Sequence, residues 1–205
     1  SVGWSVLIVR SGPLRLGLEP DLVRVDAQAR GPHRVALLAQ IRRLDFSSRS
    51  GPASRNAWSG QGSGEVTVSR EATVPPQDGA RQAAQQVAES VVFLEQGQFQ
   101  LEGQSSSVNF HNRYRWQLTA DGEALSLSHE RRGRDAAVFL FDLVADSARG
   151  EDHFVSREAH LCIDDLYAAT LVIVRDEAGN ALGFDLDWRI TGPRKDEHLA
   201  YRYRC

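Results

Sequence analysis

Methionine is absent from this sequence of 205 residues, and Lys195 is the only lysine among its 24 basic residues. Cysteine is almost as scarce, with Cys162 and Cys205 as the whole complement. Two cysteines cannot build a disulfide framework or a four-ligand zinc site, so we expect a reducing intracellular compartment, either cytoplasm or an organelle matrix. The excess of arginine is typical of a GC-rich genome. Its functional alternative is the bidentate recognition of anions, which requires clustered arginines.

Long apolar runs and excess positive charge are also missing. The run that starts at Val6 ends at Val9, far short of the roughly 20 residues of a membrane-spanning helix, so no membrane span is predicted. The net charge of −3 argues against general nucleic-acid binding. A hydrophobic content of 41% and 205 residues suit one globular domain with a well-covered core.

Alternation of apolar and polar residues is the clearest positive signal. Residues 184–190 read Phe-Asp-Leu-Asp-Trp-Arg-Ile, and residues 197–205 alternate again after a turn at 192–196. Residues 108–118 show the same period, and Asp121-Gly122 is a hairpin signal. About eight strands at close spacing predict an all-β, antiparallel up-and-down barrel, because closure removes the exposed edges.

Composition divides the chain further. Residues 1–34 are broken by Gly12-Pro13 and Gly31-Pro32, which predicts an N-terminal arm or lead-in strand before a barrel domain over 35–205. Residues 47–64 are rich in serine and glycine and are predicted as a long loop. Residues near 75–90 contain good helix formers without a wide apolar stripe, which indicates a short, exposed helical insertion.

From about residue 35 to the end, the chain resembles a family of lipocalin-like β-barrel proteins catalogued as a domain of unknown function. The resemblance rests on Trp58-Ser59-Gly60, on Phe93-Leu94-Glu95-Gln96-Gly97, on the NRYRW motif at 112–116, on residues 139–143, on the HxCxxDxY motif of His160, Cys162, Asp165 and Tyr167, on the WRxxGPRKD motif at 188–196, and on residues 201–204. It implies a small antiparallel barrel with an internal space. It implies no reaction and no particular ligand, and the arm and the insertion depart from the family pattern.

Inward-facing aromatic residues suggest a ligand pocket inside such a barrel. Apolar walls with a few hydroxyl, indole and imidazole groups are typical of small-molecule sites. The candidate lining residues are Tyr114, Trp116, His129, His160, Tyr167, Trp188, Tyr201 and Tyr203, with Arg194, Lys195 and Asp196 at the mouth. The alternative is that large side chains simply fill the barrel.

The segment from His160 to Tyr167 concentrates chemically active side chains. One hypothesis is an enzyme that uses His160 and Asp165 as base and orienting acid. The other is a structured corner between strands, and the spacing of His153 from His160 matches no standard metal-ligand pattern. A haem held by His129 or His160 is a further alternative, although no cofactor is predicted.

The segment 192–196 and the arginines of the outer face can each be explained by structure or by function. The segment 192–196 is predicted to be a hairpin turn rather than an anion-binding loop, since no Walker pattern is present. The arginines at 113, 115, 189, 202 and 204 share the outer face, where Asp185 and Asp187 are expected as cross-strand partners. A solvated, salt-bridged wall is expected, with docking of an acidic partner as the alternative.

Three functional hypotheses follow. The first is a non-catalytic barrel that binds a small apolar or amphipathic molecule. The second is a structural accessory subunit of a larger protein assembly, including an organellar one, which would hold neighbouring subunits through 1–34 and 75–90. The third is the enzyme centred on His160 and Asp165, and a non-enzymatic role is favoured over it.

Overall fold

The computed structural model of the protein describes residues 35–55, 57–73, 88–119, 121–157, 160–162 and 165–205. The predicted arm at 1–34 lies outside these residues. So does most of the insertion predicted near 75–90, and its last three residues, 88–90, already belong to a strand.

Strands make up about two thirds of the described residues. They are β1 (Arg43–Ser50), β2 (Gly60–Thr73), β3 (Ala88–Leu101), β4 (Ser107–Leu118), β5 (Ala124–His129), β6 (Val138–Ala145), β7 (His153–Ser156), β8 (His160–Cys162), β9 (Asp165–Arg175), β10 (Ala181–Gly192) and β11 (Lys195–Arg204). Helical structure in the described residues is limited to 35–40 and one 3-10 turn, Arg134–Ala136. The predicted all-β class is confirmed.

The sheet closes into an antiparallel barrel of ten strand positions. Each strand pairs with its sequence neighbour from β1 to β7, β9 pairs with β10, and β11 returns to pair with β1. The short strands β7 and β8 occupy one position in the wall, since they pair with opposite halves of β9. The barrel therefore has ten positions rather than the eight or so that the sequence predicted.

Register in the last two strands follows the alternating pattern. Phe184 pairs with Tyr203 and Leu186 pairs with Tyr201, and all four side chains are buried. On the outer face, Asp185 forms ion pairs with Arg202 and Arg204, and Asp187 pairs with Arg202. The predicted inner and outer faces of β10 and β11 are confirmed, because side chains of a strand point alternately to opposite sides.

Aromatic rings fill the centre of the barrel. The ring of Tyr201 stacks on Phe46 at 5.2 Å, on Trp188 at 5.7 Å and on Tyr203 at 5.8 Å between centroids. Phe184 continues this stack from Tyr203 at 4.7 Å. Offset and edge-on packing of this kind adds about 0.5–1.5 kcal/mol per pair beyond apolar burial.

Glycines on the inner face of β2 and β3 make room for these rings. A Cβ atom on Gly62 would lie 2.4 Å from Cζ of Phe46, its neighbour on β1. Gly64 and Gly97 face each other, and a Cβ on Gly97 would lie 2.6 Å from Cα of Gly64. Half of the stretch 47–64 that was predicted as loop is therefore strand, and the connection between β1 and β2 is confined to 51–59.

A β-bulge turns the side chain of Phe139 outward. The register between β5 and β6 shifts after Leu127, which pairs with Phe141, while Ser128 pairs with Phe139. Leu140 takes the extra position and is buried, whereas Phe139 is 40% exposed. Phe139 and Phe141 therefore lie on opposite faces although they are two residues apart, because an inserted residue reverses the alternation.

One end of the barrel is covered by the helical residues 35–40. Leu38 is buried there, and the chain then enters the wall through the fully buried Ile41. Beneath the helix lies an apolar cavity of about 20 Å³, bounded by Leu37, Leu125, Phe154 and Phe184 among others. This volume is room for about one water molecule.

Candidate functional site

A hydrogen-bonded carboxyl group lies inside the barrel. Glu95 of β3 is 1% exposed. Its Oε1 accepts a hydrogen bond of 2.6 Å from the hydroxyl of Tyr203, and its Oε2 accepts one of 3.2 Å from Nδ2 of Asn112. Asn112 is the register partner of Glu95 on β4, whereas Tyr203 reaches it from β11. Three strands therefore converge on one acidic side chain.

Two more tyrosines extend this buried polar cluster, which comprises Glu95, Asn112, Tyr114, Tyr201 and Tyr203. The hydroxyls of Tyr114 and Tyr201 are hydrogen-bonded to each other. Both side chains are buried. The cluster thus combines one acid with phenol and amide groups inside a wall of aromatic rings.

Burial controls the ionisation of the cluster. Removal from water raises the pKa of Glu95 to about 7, although the hydrogen bonds from Tyr203 and Asn112 lower it in part. Burial also raises the pKa values of the tyrosines at 114, 201 and 203, and the charge of Glu95 adds to each increase. At neutral pH the phenols are therefore uncharged, while the carboxyl group is close to its midpoint.

A buried histidine lies beside the cluster. The imidazole of His129 packs edge-on against the ring of Tyr114 at 4.9 Å. Burial, with a further contribution from the positive charge of Arg131, lowers the pKa of His129 to about 4. The imidazole is consequently neutral at physiological pH.

Four buried ring nitrogens have no hydrogen-bond partner within the described part of the chain. One of them, Nδ1 of His153, lies on the outer face of β7. The other three are Nε1 of Trp116, Nε2 of His129 and Nε1 of Trp188, whose side chains lie inside the barrel. Trp188 packs against Tyr114 at 6.3 Å and against Phe141 at 5.4 Å. Buried polar groups without partners are uncommon, because each forfeits its hydrogen bond to water.

Most of the residues proposed from sequence to line a pocket do come together. Tyr114, Trp116, His129, Trp188, Tyr201 and Tyr203 are all buried, and ring contacts link five of them directly. Tyr167 is buried in a separate group with Ile190. The backbone of His160 pairs with that of Tyr167, and the side chain of His160 lies outside the described part of the structure.

The residues predicted at the barrel mouth form a braced turn. Lys195 forms an ion pair of 3.0 Å with Asp165. The hydroxyl of Ser54 bonds to the backbone of Asp196, and the carbonyl of Arg194 accepts the amide proton of Arg55. These contacts fasten the final hairpin to β9 and to the loop 51–59.

The proposed catalytic pairing of His160 with Asp165 stays a prediction.

Sequence reasoning missed Glu95, the centre of the buried cluster. A signal was available, since Val91, Phe93 and Phe99 occupy odd positions of β3 and all face inward. Glu95 shares that parity and therefore had to face the core. An acidic residue on the apolar face of a strand is the sequence signature of such a site.

A second buried charge cluster lies on the outer face of the wall and was also missed. Arg115 is 7% exposed and binds Glu130, Glu71 and the hydroxyl of Ser90. Glu130 also accepts a hydrogen bond of 2.8 Å from Nε of Arg113. The expectation of a solvated wall was wrong at Arg115, because carboxylates from two other parts of the chain close over it.

The comparison with known families confirms that the chain contains a domain of unknown function. A family model described as "Family of unknown function (DUF6314)" matches residues 52–205, which is most of the chain. The chain belongs to this family. No curated protein and no solved structure matches it. The matched part of this DUF6314 member runs from the loop before β2 to the end of β11, and it includes Glu95 and its hydrogen-bond partners.

Two features are absent from the described residues of this DUF6314 member. Within them, no helix is long and apolar enough to cross a membrane. Across the same ranges, no three histidine, cysteine, aspartate or glutamate side chains are grouped so that they could hold a metal ion. The candidate site is the buried cluster around Glu95, on the evidence of its burial and its hydrogen bonds.

Proposed function

We propose that this DUF6314 member is a non-catalytic, lipocalin-like barrel that binds a small amphipathic molecule in its interior. The observation that carries the proposal is the set of buried ring nitrogens without partners at Trp116, His129 and Trp188, beside the Glu95 cluster. Small-molecule sites have mostly apolar walls and a few polar groups that orient the ligand. An amphipathic ligand would supply the partners that these groups lack.

Entry through the capped end of the barrel is consistent with this proposal. The helical residues 35–40 cover that end, and the small cavity beneath them is lined by aliphatic and aromatic side chains. Displacement of Leu37 and Leu38 would open this cavity to the outside, and the aromatic rings that fill the centre of the barrel would have to separate before a ligand could reach the Glu95 cluster. The apolar tail of the ligand would then lie near the cap, and its polar head would lie deeper in the barrel.

Tryptophan fluorescence tests the proposal directly, because Trp116 and Trp188 report on the interior. We would titrate the full chain with decanol, decanoate and decyltrimethylammonium below their micelle concentrations. Saturable changes in emission, together with an increase in the thermal midpoint, are expected for at least one probe. Trp188→Phe should reduce the emission change, whereas Trp58→Phe in the loop 51–59 should preserve it. If no probe changes either signal, the proposal is wrong.

The accessory-subunit hypothesis stays a prediction. It depends on the segments 1–34 and 75–90, most of which lie outside the described residues. The enzyme hypothesis also stays a prediction, since it depends on the side chain of His160. Neither hypothesis explains why, among the described residues, the buried carboxyl group of Glu95 has no cationic partner and three ring nitrogens inside the barrel have no hydrogen-bond partner.

A further inference from the structure

The carboxyl group of Glu95 has no cationic partner within the described ranges. The two other buried charged side chains there, Arg115 and Glu130, lie on the outer face and bind each other. The inward-facing His129 is neutral at physiological pH. A buried carboxylate without a counter-ion is costly, because water no longer solvates its charge.

Hydrogen bonding around Glu95 nevertheless suits the ionised form. Both carboxylate oxygens accept, one from the hydroxyl of Tyr203 and the other from the amide of Asn112. An ionised carboxylate is an acceptor only, whereas a protonated one must also donate. The arrangement therefore prepares a site for negative charge without supplying a positive one.

Aromatic faces surround this site. The ring of Tyr203 packs against Phe93 at 5.5 Å and stacks on Tyr201 at 5.8 Å. Phe46 also stacks on Tyr201, and it meets Phe110 edge-on at 5.2 Å. Ring faces attract cations through their quadrupole, most strongly where water is excluded.

We propose that the ligand of the barrel is an organic cation, an amphipathic amine or quaternary ammonium compound whose positive head pairs with Glu95 among these rings. This inference rests on the proposed function and specifies the chemical class of its ligand. The head supplies the missing counter-charge, and the apolar tail extends toward the capped end. The faces of Tyr201 and Tyr203 are stacked against other rings, so these rings must separate before they can contact the cation.

The test compares three probes of equal chain length on the full protein. Decyltrimethylammonium should bind at least about tenfold more tightly than decanol, and decanoate should bind more weakly than either. Equal affinities for decanol and decyltrimethylammonium, or a preference for decanoate, would overturn the cation assignment while leaving the proposed barrel function intact. Failure of all three probes to bind would overturn both.

Glu95→Gln isolates the carboxylate, since it keeps the shape and removes the charge. The variant should lose the preference for decyltrimethylammonium over decanol, and the matched variant Glu65→Gln, on the exposed outer face of β2, should retain it. A Glu95→Gln barrel that retains the preference would contradict the proposal.

A second measurement on the unaltered protein covers the case in which Glu95→Gln does not fold. Decyltrimethylammonium carries a permanent charge, and the tyrosines facing Glu95 stay protonated up to pH 8. Its affinity should therefore increase about tenfold between pH 6 and pH 8 as Glu95 ionises, and the affinity of decanol should not increase. A pH-independent affinity for decyltrimethylammonium would refute the pairing.

Discussion

Tyr203 of β11 donates a hydrogen bond of 2.6 Å to Glu95 of β3, a residue 108 positions earlier in the sequence. The two strands are not neighbours in the wall, since β1 and β2 lie between them. The bond therefore crosses the interior of the closed barrel. It anchors the one carboxyl group in the described structure that is both buried and inward-facing, which makes the ionisation of Glu95 a property of the tertiary fold.

Stability should depend on pH through Glu95. Its pKa is raised from 4.5 to about 7 in the folded protein, so the folded state binds more protons than the unfolded state between these values. The free energy of unfolding should therefore decrease by about 3 kcal/mol from this group as the pH rises from 4.5 to 8. Glu95→Gln should remove this contribution. Urea denaturation of both proteins at several pH values measures the difference, and Glu65→Gln is the control.

Ionisation of His129 should make the protein less stable as the pH falls, which is opposite to the effect of Glu95. The pKa of His129 is lowered from 6.5 to about 4 in the folded protein, so the unfolded state binds the extra proton. The contribution of His129 to the free energy of unfolding is fully present above pH 6.5 and is lost as the pH falls toward 4. The free energy of unfolding should decrease from this group by about 2 kcal/mol at pH 4.5. His129→Phe should be less sensitive to acid than the wild type in thermal melts at pH 7 and pH 4.5. An unchanged sensitivity would contradict the burial of a neutral imidazole.

Arg115 should be the most important arginine of the outer face for stability. Arg115→Ala leaves the carboxylate of Glu130 buried with Arg113 as its remaining cation, and we expect a loss of about 3 kcal/mol in the free energy of unfolding. Arg189→Ala, on the exposed side of β10, should change stability by less than about 0.5 kcal/mol. Similar losses in the free energy of unfolding of both variants would show that the buried ion pair of Arg115 does not stabilise the protein more than an exposed arginine does.

Gly62 and Gly97 should not tolerate alanine. A Cβ on Gly62 would enter the ring of Phe46, and a Cβ on Gly97 would meet the backbone of Ser63 and Gly64. Each substitution should lower stability by about 1–3 kcal/mol, and Gly97→Ala more than Gly62→Ala, since a ring can rotate and a paired backbone cannot. Ser63→Ala, on the exposed outer face, is the control for chemical denaturation.

Several parts of the fold were predictable because their signals are local. The faces of β4, β10 and β11 follow from a two-residue period, and that period placed Tyr114, Trp188 and Tyr201 inside the barrel correctly. The hairpin at Asp121-Gly122 was also identified, and Gly122 has the positive φ that such a turn requires. None of these features depends on distant residues.

Other parts depend on contacts between distant segments. Glycine-rich composition suggested a loop at 60–64, but those glycines are strand residues that accommodate Phe46 and the backbone of β3. The bulge that exposes Phe139 and the carboxylates that close over Arg115 involve partners on other strands. Local composition cannot reveal such pairings.

The sequence by itself determined which side chains of each regular strand face the barrel interior, because alternation is a property of an extended backbone. Only the tertiary structure decided that the barrel has ten positions, and that Glu95 meets Tyr203 and Asn112 with no cationic partner among the described residues. Barrel closure is the physical reason. It joins β11 to β1 and brings residues far apart in the chain into one interior that excludes water.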